Sequence, residues 1–138
     1  MTMNKSLRKR LKDRAQYLCE YCLSPESFCP TYYEGDHITP VSAGGDNAFE
    51  NFANACGGCN NNKSNATHAI DPSIGQSVPL YNPRIHVWED HFCWNDTYTL
   101  MEGISPIGRA TIPKLKLNRE EVVNLRTLLV SAGLHPIQ

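Results

Sequence analysis

Two matched cysteine pairs constrain this chain more than any other feature of its sequence. The first pair lies in CEYC at residues 19–22 and the second in CGGC at residues 56–59, with 33 residues between them. Four thiolates in two such pairs suit a tetrahedral Zn²⁺ that has no open position and is therefore structural. A redox C-x-x-C motif or a chance arrangement is the weaker explanation. The expected zinc ligands are Cys19, Cys22, Cys56 and Cys59.

The composition is that of an ordinary globular protein. Of the 138 residues, 41% are hydrophobic and 20% are charged, and no apolar run approaches the length of a membrane span. We therefore expect one domain with at most a small appendage, a cytoplasmic location and no membrane partner. In such a protein, six cysteines indicate metal ligands before disulfides.

The net charge of −1 conceals a basic segment near the N-terminus. Residues 5–14, KSLRKRLKDR, carry six basic side chains and one acidic side chain. Leucines at helical spacing predict an amphipathic helix over residues 6–18, with Ser6 as its N-cap. A basic helix face can bind phosphates, and a solvated helix face is the alternative. The candidate phosphate contacts are Arg8, Lys9 and Lys12.

The remaining pattern predicts a mixture of helices and strands. Strands are expected at residues 32–39 and 49–55, followed by a helix that begins at the second cysteine pair. That helix is rich in Gly and Asn, so zinc binding, on the order of 10 kcal/mol, has to stabilise it. A linker at 71–83, a β-hairpin at 91–104 and a helix capped by Asn118 are expected to complete the chain.

An acid and a histidine stand next to each other between the two cysteine pairs. The segment DHITPVSAGG at residues 36–45 places Asp36 and His37 before a proline and a Gly-Gly turn. Without their context, these two residues would be interpreted as a hydrogen-bonded turn pair. The alternative, a catalytic acid and base, depends on the wider motif to which these two residues belong.

Together, these motifs resemble those of the HNH endonucleases. The resemblance extends over roughly residues 8–66 and rests on CEYC (19–22), DHITPVSAGG (36–45), Asn51 and CGGCNNNK (56–63). It implies an α+β fold in which a ββα-metal nuclease core with a structural four-cysteine zinc site occupies residues 1–70. Residues 71–138 are then a C-terminal extension, a β-hairpin and a helix packed on the core. The implied activity is metal-dependent hydrolysis of phosphodiester bonds in DNA.

The resemblance also implies a role for each site residue. His37 matches the general base, Asp36 matches the metal-binding acid beside it, and Asn51 matches the asparagine that tethers the loop and orients the base. Asn60 matches the last His or Asn of the family, a ligand of the catalytic Mg²⁺ or Mn²⁺, which makes this chain an H-N-N variant. Lys63, one helical turn later, is expected to contact a phosphate oxygen or to be a solvated lysine.

Other functions remain compatible with the same sequence. The main alternative to a nuclease is a zinc-stabilised nucleic-acid-binding module without cleavage activity, and a weaker one is a protein-interaction partner. Gly57 and Gly58 stand where many relatives carry basic residues, which shifts the expected nucleic-acid contact toward the N-terminal helix. Double-stranded DNA is the expected partner, with RNA as the alternative.

Overall fold

The computed structural model describes residues 3–137 and shows a mixed α/β protein with small sheets, as predicted. The helices are α1 (Lys5–Arg14), α2 (Gly57–Lys63), α3 (Pro106–Leu115) and α4 (Glu120–Ser131). The strands are β1 (Glu34–His37), β2 (Phe52–Ala55), β3 (His68–Asp71), β4 (Gln76–Pro79), β5 (Phe92–Trp94) and β6 (Met101–Gly103). Within residues 3–137, no helix is long and apolar enough to cross a membrane.

The strands pair in chain order into two-stranded antiparallel sheets. In the described part of the chain these sheets are β1–β2, β3–β4 and β5–β6. The register of the first sheet places Asp36 opposite Ala53 and His37 opposite Phe52. Because adjacent residues of a strand point to opposite faces, the two neighbouring side chains leave β1 in different directions.

The chain divides into two compact units. Unit 1 comprises residues 1–67 with 82–85, and unit 2 comprises residues 68–81 with 86–138. Residues 1, 2 and 138 lie outside the described residues. The expected domains, residues 1–70 and 71–138, have nearby boundaries, and the packing of the second on the first stays a prediction.

Helix α1 is shorter than the predicted helix and begins at a different cap. The N-cap is Asn4, whose side chain accepts a hydrogen bond from the backbone N–H of Leu7 at 2.8 Å, so the prediction of Ser6 was wrong. The helix ends at Arg14 because Gln16 and Tyr17 adopt left-handed backbone conformations with φ of 55° and 57°. This reversal turns the chain toward the first cysteine pair.

The strands of unit 1 are also shorter than predicted, and the helix after them is present. Residues 49–51 form a 3₁₀ turn rather than the start of β2. Helix α2 follows Cys56, whose sulfur accepts a hydrogen bond from the backbone N–H of Cys59 at 3.4 Å. The cysteine pair therefore caps a helix of low intrinsic propensity.

Unit 2 contains two elements that the sequence patterns did not predict. The expected linker at 71–83 is largely the hairpin β3–β4, in which Asp71 pairs with Gln76 around a tight turn. Helix α3 begins after Ser105, whose hydroxyl accepts a hydrogen bond from the backbone N–H of Gly108. Its internal proline, Pro113, hides the helix from propensity-based prediction.

The expected hairpin over residues 91–104 is present as β5–β6, but the predicted cap of the last helix was wrong. Residue Arg119 precedes α4 without a side-chain capping bond. The Asn118 side chain instead accepts a hydrogen bond from the N–H of Met101 and donates one to its carbonyl oxygen, at 2.8 and 2.9 Å. Asn118 thus extends the edge of β6 rather than beginning a helix.

Candidate functional site

The four predicted zinc ligands come together at one point in unit 1. Their sulfur atoms all lie within 4.8 Å of one another, and those of Cys22 and Cys56 are 3.8 Å apart. A tetrahedral Zn²⁺ with Zn–S bonds of about 2.3 Å would separate its sulfur ligands by about 3.8 Å. All four cysteines are free thiols. The cluster therefore could hold a metal ion such as zinc.

The close approach of the sulfurs perturbs their ionisation. Hydrogen bonds from neighbouring thiols, the one from Cys19 first, lower the pKa of Cys56 and of Cys22. Burial raises the pKa of the Cys19 thiol. Because a metal binds thiolates, occupation of this cluster releases protons, and its metal affinity falls in acid.

A cleft of about 520 Å³ lies beside β1 and collects most of the predicted catalytic residues. Asp36 and His37 line it from β1, and Asn60 lines it from the first turns of α2. Asn51, the fourth predicted catalytic residue, does not line this cleft.

Asp36 is a buried acid with two hydrogen-bond donors on the same oxygen. Its Oδ2 accepts a bond from the Tyr21 hydroxyl at 2.8 Å and lies 3.1 Å from the Lys63 ammonium nitrogen. Burial raises the pKa of Asp36, and the Lys63 charge opposes this shift. The carboxyl group is therefore held in one orientation by a hydroxyl and a cation.

His37 is fixed by a residue that the sequence motifs did not indicate. Its Nε2 lies 2.8 Å from Oδ1 of Asn47, and its ring packs against the ring of Phe52 at 4.6 Å between centroids. The only sequence signal for Asn47 is its place just after the Gly-Gly turn, ten residues beyond the histidine. Hydrogen bond and ring contact together restrict rotation of the imidazole.

Asn51 ties down the loop that carries Asn47. Its side chain accepts a hydrogen bond from the N–H of Thr39 and donates to the carbonyl oxygens of Thr39 and Asp46, all within 2.9 Å. Gly45 lies in the same loop, where a Cβ atom would be 1.7 Å from the Thr39 carbonyl oxygen. Asn51 therefore fixes the loop that carries Asn47, the hydrogen-bond partner of His37.

Asn60 is oriented by a second residue that the sequence motifs did not indicate. Its amide nitrogen Nδ2 donates a hydrogen bond to Oε2 of Glu34 at 3.2 Å. Because the nitrogen faces the glutamate, the amide oxygen remains available as a ligand. Glu34 stands two residues before Asp36 on β1 and so shares its face of the strand.

Two of the predicted phosphate contacts are corrected by their burial. Lys12 is 9% exposed, and its ammonium group contacts both carboxylate oxygens of Glu26, at 2.8 and 2.7 Å. Lys63 is 2% exposed and also donates to the carbonyl oxygen of His37 at 3.0 Å. Both charges are satisfied inside unit 1, so neither side chain is free to bind a phosphate group.

Three consecutive basic residues of α1 remain on the surface. Arg8 and Lys9 are exposed, and Lys9 forms an ion pair with Asp13 at 2.9 Å on the same helix. Arg10, which was not among the predicted contacts, is also exposed and lies over the ring of Phe49 at 4.4 Å. A basic surface therefore persists on α1, and it is built from residues 8–10 and the exposed Lys5 rather than from Lys12.

Comparison with known proteins supports the motif interpretation for this part of the chain. Neither the curated proteins nor the solved structures include a match to the chain. A family match exists over the segment that holds both cysteine pairs and the cleft residues, and it indicates a nuclease-type function. Residues 19–66 match the HNH endonuclease family, which confirms the resemblance that the sequence motifs suggested.

Proposed function

We propose that this protein is a metal-dependent HNH endonuclease that hydrolyses phosphodiester bonds in double-stranded DNA. In this proposal β1, β2 and α2 form the ββα-metal core, and the four cysteines hold a structural Zn²⁺. The observation that carries the proposal is the cleft lined jointly by Asp36, His37 and Asn60.

Asp36 and Asn60 are the proposed protein ligands of a catalytic Mg²⁺ or Mn²⁺. Both offer hard oxygen atoms to the same cleft, and Mg²⁺ takes few protein ligands while waters and phosphate oxygens complete its octahedron. The bound ion would act as a Lewis acid that stabilises charge on the phosphate and on the departing 3′-oxygen. Glu34 assists by holding the amide of Asn60 with its oxygen available.

His37 is the proposed general base. Because Oδ1 of Asn47 can only accept a hydrogen bond, Nε2 of His37 carries the proton and Nδ1 keeps the lone pair. Nδ1 then accepts a proton from the attacking water, as a neutral imidazole can do near physiological pH. Asn47 and Phe52 contribute by keeping the ring in a single orientation.

The proposed nucleic-acid contacts are three consecutive exposed basic residues of α1. Arg8, Lys9 and Arg10 follow one another in the sequence and project from the surface of that helix. Such contacts bind phosphates without regard to base sequence, and they weaken as salt increases. The exposed pair of Lys9 with Asp13 is weak enough to be exchanged for a phosphate.

Plasmid cleavage tests the proposed activity. We expect the zinc-loaded protein to nick or linearise supercoiled DNA with Mg²⁺ or Mn²⁺, and EDTA to abolish the reaction. The His37→Ala variant should be slower by roughly a hundredfold or more. His68→Ala, which changes an exposed histidine in unit 2, is the matched control and should retain activity.

The same experiment separates the two nucleic-acid functions. A wild-type protein that binds DNA and carries zinc, but cleaves nothing with either metal ion, would instead be a zinc-stabilised binding module. If His37→Ala cleaves at the wild-type rate, the assignment of the general base is wrong.

A further inference from the structure

The tyrosine inside the first cysteine pair is buried and bonded to the acid of the cleft. Tyr21 lies between Cys19 and Cys22 and is 2% exposed. Its hydroxyl group donates a hydrogen bond to Oδ2 of Asp36 at 2.8 Å, and both side chains are buried. Hydrogen bonds to a carboxylate are stronger than those between neutral groups, particularly away from water.

The second donor to Asp36 comes from the helix of the other cysteine pair. The ammonium group of Lys63, four residues after Cys59, lies 3.1 Å from the same Oδ2 atom. With Oδ2 occupied by two donors, Oδ1 is the carboxylate oxygen that remains for a cation in the cleft. The orientation of the acid is therefore set from both cysteine pairs.

We propose that Tyr21 is a positioning residue that couples the structural zinc site to the affinity of the catalytic metal site. Zinc ligation by the cysteines on either side holds the Tyr21 side chain, and its hydroxyl holds Asp36 with Oδ1 presented to the metal. Groups that orient a metal ligand in this way typically contribute roughly ten- to a hundredfold to metal affinity. This inference rests on the proposed function, because it requires a divalent metal at Asp36.

The test is the binding of Mn²⁺ to zinc-loaded Tyr21→Phe, measured by isothermal titration calorimetry. We expect the dissociation constant for Mn²⁺ to rise by roughly tenfold. Zinc content should stay at the wild-type value, because phenylalanine fills nearly the same volume beside the cysteines. In cleavage assays, the Mn²⁺ concentration for half-maximal rate should rise by the same factor, and the rate at saturating Mn²⁺ should recover.

Tyr33→Phe is the matched control. Tyr33 is equally buried in unit 1, but its hydroxyl donates to the carbonyl oxygen of Ser24 at 2.9 Å. Loss of this hydroxyl should leave the dissociation constant for Mn²⁺ unchanged. A change equal to that of Tyr21→Phe would show a general effect of buried hydroxyls and overturn the proposal.

An Asp36→Ala variant separates the role of Tyr21 from the proposed metal site. If it binds Mn²⁺ as the wild type does, the metal lies elsewhere, and both the proposed metal site and the role of Tyr21 are wrong. If it loses Mn²⁺ while Tyr21→Phe binds with wild-type affinity, only the role of Tyr21 is wrong. Loss of zinc from Tyr21→Phe would also overturn the proposal, because the hydroxyl would then support the cysteine site itself.

Discussion

The two units of this chain use their buried positions differently. In unit 1, the apolar cluster around Met3, Leu11 and Phe52 is small, and buried space is shared with four cysteines and two ion pairs. Unit 2 buries a similar number of apolar residues, and in its described part no cysteine is among them. These include Phe92, Met101, Leu115, Leu117, Val122 and Leu129. In the described part of unit 2, no cluster of metal-ligating side chains accompanies them.

The difference shows how a small unit accommodates a buried polar site. A buried acid such as Asp36 and a buried cation such as Lys63 contribute no apolar burial and lose their hydration. Unit 1 can compensate through metal binding at its cysteines, on the order of 10 kcal/mol. Unit 2 relies on apolar burial, at about 25 cal/mol per Å², and on buried polar groups that form hydrogen bonds with one another.

One buried residue illustrates the polar component of unit 2. Arg126 is 1% exposed, and its guanidinium group donates to the carbonyl oxygens of Thr99 and Leu117 and to Oδ1 of Asn118. This single side chain ties together the loop of the β5–β6 hairpin, the segment after α3 and helix α4. These contacts all lie within unit 2, whereas the buried Asp36 of unit 1 lines a cleft.

Removal of one cysteine ligand should have the largest effect on stability, and this effect should be confined to unit 1. We expect Cys56→Ser to lose zinc and to unfold unit 1, because a three-thiolate site forfeits most of the metal's binding free energy. Residues of unit 2 should keep their native amide resonances in two-dimensional NMR spectra. Cys93→Ser, in unit 2, is the control and should retain zinc. Unchanged zinc content and melting temperature in Cys56→Ser would contradict the zinc assignment.

Replacement of the buried Lys12 should have an intermediate effect on stability and should test whether this lysine binds DNA. Because Lys12→Met leaves the buried carboxylate of Glu26 without its cation, we expect a loss of about 3 kcal/mol in the stability of unit 1. The salt dependence of DNA binding should not change.

A triple substitution of Arg8, Lys9 and Arg10 by glutamine should change DNA binding but not stability. The melting temperature should not change. The salt slope, which is the slope of the logarithm of the binding constant against the logarithm of the salt concentration, should become shallower by roughly 0.9 for each DNA phosphate that helix α1 no longer neutralises.

Fluorescence anisotropy with labelled DNA over a range of salt concentrations measures the salt slope of both variants. A weaker salt dependence in Lys12→Met would restore the lysine as a phosphate-binding residue. An unchanged salt slope in the triple variant would assign the basic residues of α1 to a solvated helix face.

Acid should destabilise the two units at different pH values, and the loss of stability in unit 2 should be the smallest of these effects. Its buried Asp71 accepts two hydrogen bonds from Arg109, and these bonds lower the pKa of the carboxyl group. A lowered pKa means that the ionised carboxylate stabilises the folded state above its unfolded pKa of about 3.9. That stability is lost as the pH falls through the folded pKa. Unit 1 should lose zinc at higher pH, when its thiolates take up protons.

Both transitions can be measured as the pH is lowered from neutrality. Zinc content reports on unit 1, and circular dichroism reports on the transition of unit 2 at lower pH. Asp71→Asn should weaken the pH dependence of the lower one, whereas Asp96→Asn, at an exposed turn, should leave it unchanged. If the transition at lower pH has the same midpoint in Asp71→Asn and in the wild type, the ion pair between Asp71 and Arg109 is not its cause.

Short-range patterns in the sequence were sufficient to predict several elements of the fold. The cysteine pairs, the acid–histidine pair and the β5–β6 hairpin each depend on residues close together in the chain, where spacing dictates geometry. Helix α3 and the β3–β4 hairpin were missed for the corresponding reason. Pro113 gives the first a helix-breaking signal, and the turn residues after Asp71 give the second the composition of a linker.

The sequence by itself determined that four cysteines form one cluster and that an acid, a histidine and an asparagine belong together. The first conclusion follows from residue type and paired spacing, and the second from the resemblance of these motifs to a known family. Only the tertiary structure decided which charges are buried and which partners orient the site. Lys12 and Lys63 resemble any surface lysine in the sequence, and they meet Glu26 and Asp36 only after folding. Burial and pairing of this kind arise from contacts between distant segments, which local spacing does not encode.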